Sequence, residues 1–132
     1  MHATSKVVSN LDIVRCFYDG LDGDDLNPLD YFSETMTWYV SDFLPWGGTV
    51  ESMPNILAML RAMRAKLTGA FEPSDIFEAG SEVIAVGRFV GFLSETHESC
   101  CVRTVHVWRF NEGRAVALAC YSDSDSAFSR LS

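Results

Sequence analysis

The sequence is poor in basic residues. Ten Lys and Arg stand against 18 Asp and Glu, which gives a formal net charge of −8 at pH 7. A surface of this sign repels phosphate backbones and anionic lipid headgroups. The densest basic group is Arg61, Arg64 and Lys66, and its spacing is that of the solvated face of one helix. The charge therefore argues against nucleic acids and membranes as partners.

Long hydrophobic runs are also missing. No stretch reaches the roughly 18 apolar residues that a membrane span needs. Residues 1–13 contain no continuous apolar segment of the kind that a secretory signal carries. We therefore expect a cytoplasmic protein. The four cysteines form no C-x-x-C pair, which predicts free thiols; they are Cys16, Cys100, Cys101 and Cys120.

Motifs for metals and cofactors are absent from the sequence. It contains no H-x-x-x-H, no G-x-G-x-x-G, no phosphate-binding loop and no G-x-S-x-G elbow. The acidic segment from Asp19 to Asp25 lacks the interleaved ligands and the closing glutamate of a calcium loop. We therefore expect neither a metal ion nor a cofactor.

The composition that remains is typical of one packed domain, which we predict to span residues 1–132. Hydrophobic residues make up 48% of the chain and aromatic residues 12%. Helical periodicity predicts helices near residues 10–20, 27–32 and 53–68. Strands are predicted at residues 36–40, 74–79, 82–93, 99–110 and 115–122, with hairpin turns between the last four.

Two glycines interrupt one of the long predicted strands. Gly87 and Gly91 weaken a flat strand but suit a bulge or a sharp bend. A long, bent antiparallel sheet with the N-terminal helices on one side makes a half-open cone. The sequence therefore predicts an α+β fold, in which N-terminal helices pack on a long curved antiparallel sheet around an apolar pocket.

The order of elements resembles the nuclear-transport-factor-2-like superfamily, the cystatin-like α+β cone. Within it the chain is most similar to the SnoaL-like polyketide cyclases. The resemblance spans about residues 8–128 and is carried by Trp38-Tyr-Val, Pro45-Trp-Gly-Gly-Thr, Val105-His-Val-Trp-Arg-Phe-Asn-Glu-Gly and Tyr121-Ser-Asp. It implies the fold more strongly than an activity, because this fold hosts isomerases, hydrolases, cyclases and inert binders.

The resemblance to ketosteroid isomerase places its three catalytic positions at Val40, Phe17 and His106. Two of the three are apolar, and only His106 can still donate a hydrogen bond. The resemblance to limonene epoxide hydrolase keeps an arginine, Arg88, but puts Cys120 where that family has a carboxylate. Neither of these two reactions is therefore supported by the sequence.

SnoaL-like cyclases use one acid/base carboxylate, and the resemblance makes Asp123 the candidate. Strict alternation from Cys120 would nevertheless turn Asp123 away from the pocket. Arg88 on a buried strand needs a partner, because an isolated buried cation is costly. That partner is either an anionic ligand or an internal acid such as Asp75 or Glu78.

His106 is the leading candidate for a catalytic residue. It alternates with Thr104 and Trp108, so these three side chains are predicted to face the pocket. A histidine can act as an acid, a base or a polar anchor, and burial should lower its pKa. The alternative interpretation is a half-buried histidine that only makes a hydrogen bond across the sheet.

An apolar wall is predicted to surround His106 and bind the substrate. Its members could equally serve as core; they are Phe17, Trp38, Val40, Trp46, Trp108 and Cys120.

Three hypotheses for function follow. The first is a cofactor-independent acid/base enzyme, a SnoaL-like cyclase, isomerase or hydrolase, that acts on a small hydrophobic carbonyl or polycyclic compound. In it, His106 would move the proton with help from Asp123 or Arg88. The second is a non-catalytic domain that binds a small hydrophobic molecule in the same pocket. The third is an interaction module, and a homodimer is expected through the outer sheet face around Val105 and Val107.

Overall fold

A computed structural model describes residues 8–19, 27–42 and 44–123. The chain forms helix α1 (Asn10–Asp19), a short 3-10 helix (Pro28–Tyr31), strands β1 (Phe32–Val40) and β2 (Gly48–Glu51), and helix α2 (Met53–Lys66). Four long strands follow: β3 (Leu67–Ala79), β4 (Glu82–Leu93), β5 (Ser99–Asn111) and β6 (Arg114–Ser122). The predicted α+β class is confirmed.

Helix α1 and the 3-10 helix begin where their capping residues predict. The hydroxyl of Ser9 accepts a hydrogen bond from the backbone N–H of Asp12, and the Asp12 carboxylate accepts one from the N–H of Ser9. The side chain of Asn27 accepts from the N–H of Leu29 at the start of the 3-10 helix. These bonds satisfy donors that the first turn of a helix leaves without a partner.

All six strands form one sheet in the order β2-β1-β6-β5-β4-β3. The four C-terminal strands pair antiparallel with their neighbours in sequence, as predicted. The sheet is mostly antiparallel; its one parallel pairing joins β1 to β6, with Trp38 opposite Leu118. No hairpin turn joins these two strands, so nothing local in the sequence encodes their pairing.

The strands differ from the prediction mainly in two starting points and one additional strand. Strand β1 begins at Phe32, four residues early, and the short strand β2 was not predicted. Strand β3 begins at Leu67, directly after α2, instead of at residue 74. Residues Leu67 and Gly69 pair with Leu93 and Gly91 at the far end of β4, so tertiary pairing extends the strand.

The two glycines of β4 permit the sheet to bend. A Cβ atom at Gly87 would lie 2.2 Å from the backbone oxygen of Glu72, and one at Gly91 would lie 1.9 Å from that of Thr68. Only glycine allows backbones to approach this closely. The register of β3 shifts between Pro73 and Asp75, opposite Gly87, so the bulge lies on β3 and not on the glycine-bearing strand β4.

The two α-helices cover one face of the curved sheet. Helix α1 packs against β3 and β4, and α2 packs against β1, β2 and β3. Side chains from the inner sheet face, such as Trp108 and Leu118, are buried with Ile13 of α1 and Ile56 of α2. Neither helix is long and apolar enough to cross a membrane.

Candidate functional site

A cavity of about 580 Å³ lies between the helices and the inner face of the sheet. Its wall is mostly apolar and draws on both helices and on five of the six strands. The lining residues are Phe17, Trp38, Val40, Leu44, Trp46, Met59, Leu60, Met63, Arg64, Leu67, Thr68, Gly69, Ala70, Phe71, Phe89, Thr104, His106, Cys120 and Ser122. Its size falls within the range of small-molecule sites.

Five of the six residues predicted for the apolar wall do line the cavity; they are Phe17, Trp38, Val40, Trp46 and Cys120. Trp108 is the exception and belongs to the core. Its side chain is fully buried, with ring centroids 5.0 Å from Phe17 and 5.8 Å from Phe32. Strand alternation turns Trp108 to the predicted side, but Phe17 and Phe32 pack over it.

His106 lines the cavity from β5, as strand alternation predicts. Its ring stacks on Phe71 of β3, with 4.0 Å between the ring centroids and 26° between the planes. Burial lowers the pKa of His106 to about 3, because an imidazolium would lose its hydration there. The histidine is therefore a neutral group at physiological pH.

Tyr18 is a site residue that the sequence analysis missed. Its hydroxyl lies 2.7 Å from Nδ1 of His106 and accepts a hydrogen bond from Nε1 of Trp108 at 2.8 Å. The resemblance to ketosteroid isomerase pointed to the adjacent position, Phe17. The periodicity of α1 allowed either aromatic residue to face the sheet, so the signal was present but ambiguous.

Cys120 occupies the cavity wall opposite His106 in the β5–β6 register. Burial raises the pKa of its thiol to about 12, although a hydrogen bond from Trp38 opposes this shift. A thiol in this state is a poor nucleophile, because the thiolate is the reactive form. Cys120 therefore contributes shape and apolar surface to the site.

Arg88 does not face the cavity, contrary to the role considered for it in catalysis. Its side chain is 61% exposed, and its Nε lies 4.0 Å from the carboxylate of Glu72. The expected partners, Asp75 and Glu78, were therefore wrong. Arg88 pairs across the sheet with Arg103, on the face opposite the buried side chain of Val102, so its side chain points outward.

Asp123 also lies outside the cavity lining. One of its carboxylate oxygens is 3.4 Å from Nη2 of the exposed Arg103. Ser122, the preceding residue, lines the cavity, and alternation therefore turns Asp123 to the outer face. The cavity therefore gains no carboxylate from Asp123.

The electrostatics of the site follow from these placements. Arg64 of α2 is the one charged side chain among the described lining residues, and it is exposed at the cavity's edge. Within residues 8–19, 27–42 and 44–123, no Asp or Glu lines the cavity. The same residues hold no cluster of three His, Cys, Asp or Glu side chains that could bind a metal. All four cysteines are free thiols.

Comparison with solved structures defines the class of fold. An NTF2-like protein of unknown function from Burkholderia pseudomallei matches with a TM-score of 0.76 and 25% identity, over 87% of this chain and 91% of its own. TerC, co-crystallised with polyporic acid, matches with a TM-score of 0.77 and 21% identity, over 92% of this chain and 96% of TerC. A protein from Catenulispora acidiphila with a ketosteroid isomerase-like fold, in complex with trimethylamine, matches with a TM-score of 0.72 and 18% identity. The match covers 92% of this chain and 94% of that protein. The fold is the NTF2-like, cystatin-like cone.

A sequence comparison narrows this class to a family. The family model of the SnoaL-like domain matches residues 14–118. The chain therefore belongs to the SnoaL-like domain family, which confirms the resemblance seen in the sequence. No curated protein matches the chain.

The lowered pKa of His106 predicts a pH dependence of stability. Between pH 6.5 and about 3 the unfolded chain binds a proton at this histidine and the native state does not, so acidification favours unfolding. From pH 7.5 to 5.5, His106 should reduce the free energy of unfolding by about 1.4 kcal/mol. Urea unfolding of the wild type and of His106→Phe measures this, since the variant lacks the contribution. Parallel losses in the two proteins would contradict it.

Proposed function

We propose that this protein binds a small hydrophobic molecule in the cavity, with His106 as the polar contact. The observation that supports this most strongly is a cavity of about 580 Å³ with one neutral, half-buried imidazole in a mostly apolar wall. Ligand sites typically combine apolar walls with a few polar groups that fix orientation. A mostly apolar ligand would gain from leaving water, and the imidazole would select its polar end.

The shape of the wall favours a flat ligand. Trp38 and Trp46 line the cavity with Phe71 and Phe89, and aromatic side chains make their best contacts with planar groups. Arg64 is exposed at the edge of the cavity, so the polar end of a ligand can lie beside it and reach solvent. If the protein were only an interaction module, we would expect side chains to fill the pocket. A cavity of about 580 Å³ therefore argues against the hypothesis of a pure interaction module.

Catalysis is the second candidate. A neutral histidine can polarise a substrate carbonyl as an electrophile, as triosephosphate isomerase does with one of its histidines. His106, held neutral by burial, has the protonation state for this role. It is a weak proton acceptor, however, and the described lining residues include no carboxylate to serve as a base. The geometry therefore favours binding and carbonyl polarisation over proton abstraction by His106.

A pair of tryptophan substitutions on α2 tests the binding site. Met63 lines the cavity, whereas Leu57 is 47% exposed and does not line it. Met63→Trp should fill part of the cavity and weaken binding of the neutral fluorescent probe N-phenyl-1-naphthylamine at least about tenfold. Leu57→Trp should bind the probe as the wild type does. Equal affinity in all three proteins, or no binding to the wild type, would refute the proposal.

We also propose a homodimer through the outer sheet face. That face carries apolar side chains where β5 and β6 pair, with Val105 opposite Tyr121 and Val107 opposite Ala119. Tyr121 is 50% exposed and contacts Tyr39 of β1 at 5.5 Å between ring centroids. An apolar surface of this kind is typical of an interface.

Light scattering measures the assembly directly. At micromolar concentration the wild type should give twice the 14.7 kDa mass of the chain. Val107→Glu should shift the mass to that of a monomer, because it places a charge within the apolar face. Leu57→Glu, on the opposite side of the sheet, is the control and should stay dimeric. A monomeric wild type would overturn this part of the proposal.

A further inference from the structure

We propose that Tyr18 and Trp108 hold His106 in the tautomer that carries its proton on Nε2. The cavity would then present a hydrogen-bond donor, and its ligand would be an apolar molecule with an acceptor such as a ketone or quinone carbonyl. The ligand part of this inference rests on the proposed binding function. The tautomer part stands on the geometry alone.

The direction of the hydrogen bonds follows from the indole. A tryptophan N–H can only donate, so Trp108 donates to the oxygen of Tyr18 at 2.8 Å. The single phenolic proton then needs an acceptor of its own. Among the described residues, the acceptor for this proton is Nδ1 of His106, at 2.7 Å from the phenolic oxygen. Tyr18 therefore donates to Nδ1, and both the indole proton of Trp108 and the phenolic proton of Tyr18 have an acceptor.

The opposite tautomer would break this arrangement. A proton on Nδ1 would direct two donors, from Trp108 and His106, at one phenolic oxygen. The phenolic proton would then have no acceptor among the described residues. A buried donor without a partner is costly. The geometry therefore favours the tautomer with the proton on Nε2.

Burial keeps this chain of bonds neutral. It raises the pKa of Tyr18, an effect that outweighs the hydrogen bond from Trp108, and it lowers the pKa of His106. Neither residue gains a charge near neutral pH. Cys120, which faces His106 from β6, also stays protonated, because burial raises its pKa as well.

The proton on Nε2 points to the part of the ring that the protein leaves open. Phe71 covers one face of the imidazole, and Tyr18 occupies Nδ1. No buried side-chain nitrogen or oxygen in the described part of the chain lacks a partner. Since Nε2 has no partner there and His106 lines the cavity, Nε2 must open into it.

Two hydroxyl groups of the lining near this point already have partners. Thr104 donates its hydroxyl proton to the backbone oxygen of Val102, and the hydroxyl of Ser122 lies 3.4 Å from that of Thr104. His106 is therefore the group that selects the ligand's polar atom. A carbonyl oxygen satisfies a single N–H in an apolar wall, whereas an ammonium group would bring a second donor and no acceptor.

Nitrogen NMR of histidine-labelled protein tests the tautomer without any ligand. In the wild type, the His106 ring should show a protonated Nε2 and an unprotonated Nδ1. In Tyr18→Phe, the hydrogen bond to Nδ1 is lost and both tautomers should be populated. A wild type protonated on Nδ1, or a Tyr18→Phe spectrum with an unchanged tautomer, would overturn the assignment. The wild-type spectrum decides even if the variant does not fold.

A matched pair of probes tests the ligand class. 9-Fluorenone and fluorene share their ring system and differ in a carbonyl against a methylene group. The wild type should bind 9-fluorenone about tenfold more tightly than fluorene. His106→Phe should remove this preference, and Tyr18→Phe should reduce it, because Tyr18 acts as a positioning residue.

The outcomes distinguish a failure of the proposed ligand class from a failure of the proposed binding function. Equal affinity for both probes in the wild type would refute the acceptor-bearing ligand and leave the binding site intact. No binding of either probe, together with no effect of Met63→Trp on N-phenyl-1-naphthylamine, would refute the proposed function. The NMR result on the tautomer would be unaffected by that failure.

Discussion

The half-buried chain of hydrogen bonds from Trp108 through Tyr18 to His106 is the constraint on which the site depends. Three polar groups sit among aromatic rings, where a donor or an acceptor left without a partner is costly. Tyr18 lies near the end of α1, and the other two residues lie on β5, so the chain also ties the helix to the sheet. Its two bonds leave one imidazole N–H for the cavity.

The cavity itself is a consequence of sheet curvature. Close contacts at Gly87 and Gly91 let β3 and β4 bend, and the helices that pack on the inner face do not fill the space beneath. The same alternation that buries Trp108 and Leu118 brings His106 and Cys120 to this space. The alternation of side chains along β5 and β6 therefore determines both the core and the cavity wall. The side chains of the outer sheet face remain for the proposed dimer contact.

Much of this architecture could be predicted from the sequence, because it is encoded locally. Turn residues and strand periodicity gave the four-stranded meander, and capping residues gave the helix starts. The parallel pairing of β1 with β6 could not be predicted in this way, because it joins residues about 80 positions apart. Strand β2 is only four residues long, too short for a periodic signal.

The candidate site was predicted less completely, for a related reason. Strand β4 is apolar on both faces around Arg88, with Val86, Phe89 and Val90, so its sequence alone did not reveal which face is inside. Only the register with β5 shows that Arg88 points outward. Tyr18 was missed because two adjacent aromatic residues at the end of a helix can each satisfy the same periodicity.

The central claim is that His106 donates a hydrogen bond into an apolar ligand cavity. A crystal structure of the protein saturated with 9-fluorenone tests it most directly. The account predicts the probe inside the cavity, with its carbonyl oxygen about 3 Å from Nε2 of His106. A probe bound in the cavity with its carbonyl directed away from His106, or a cavity without the probe, would contradict it.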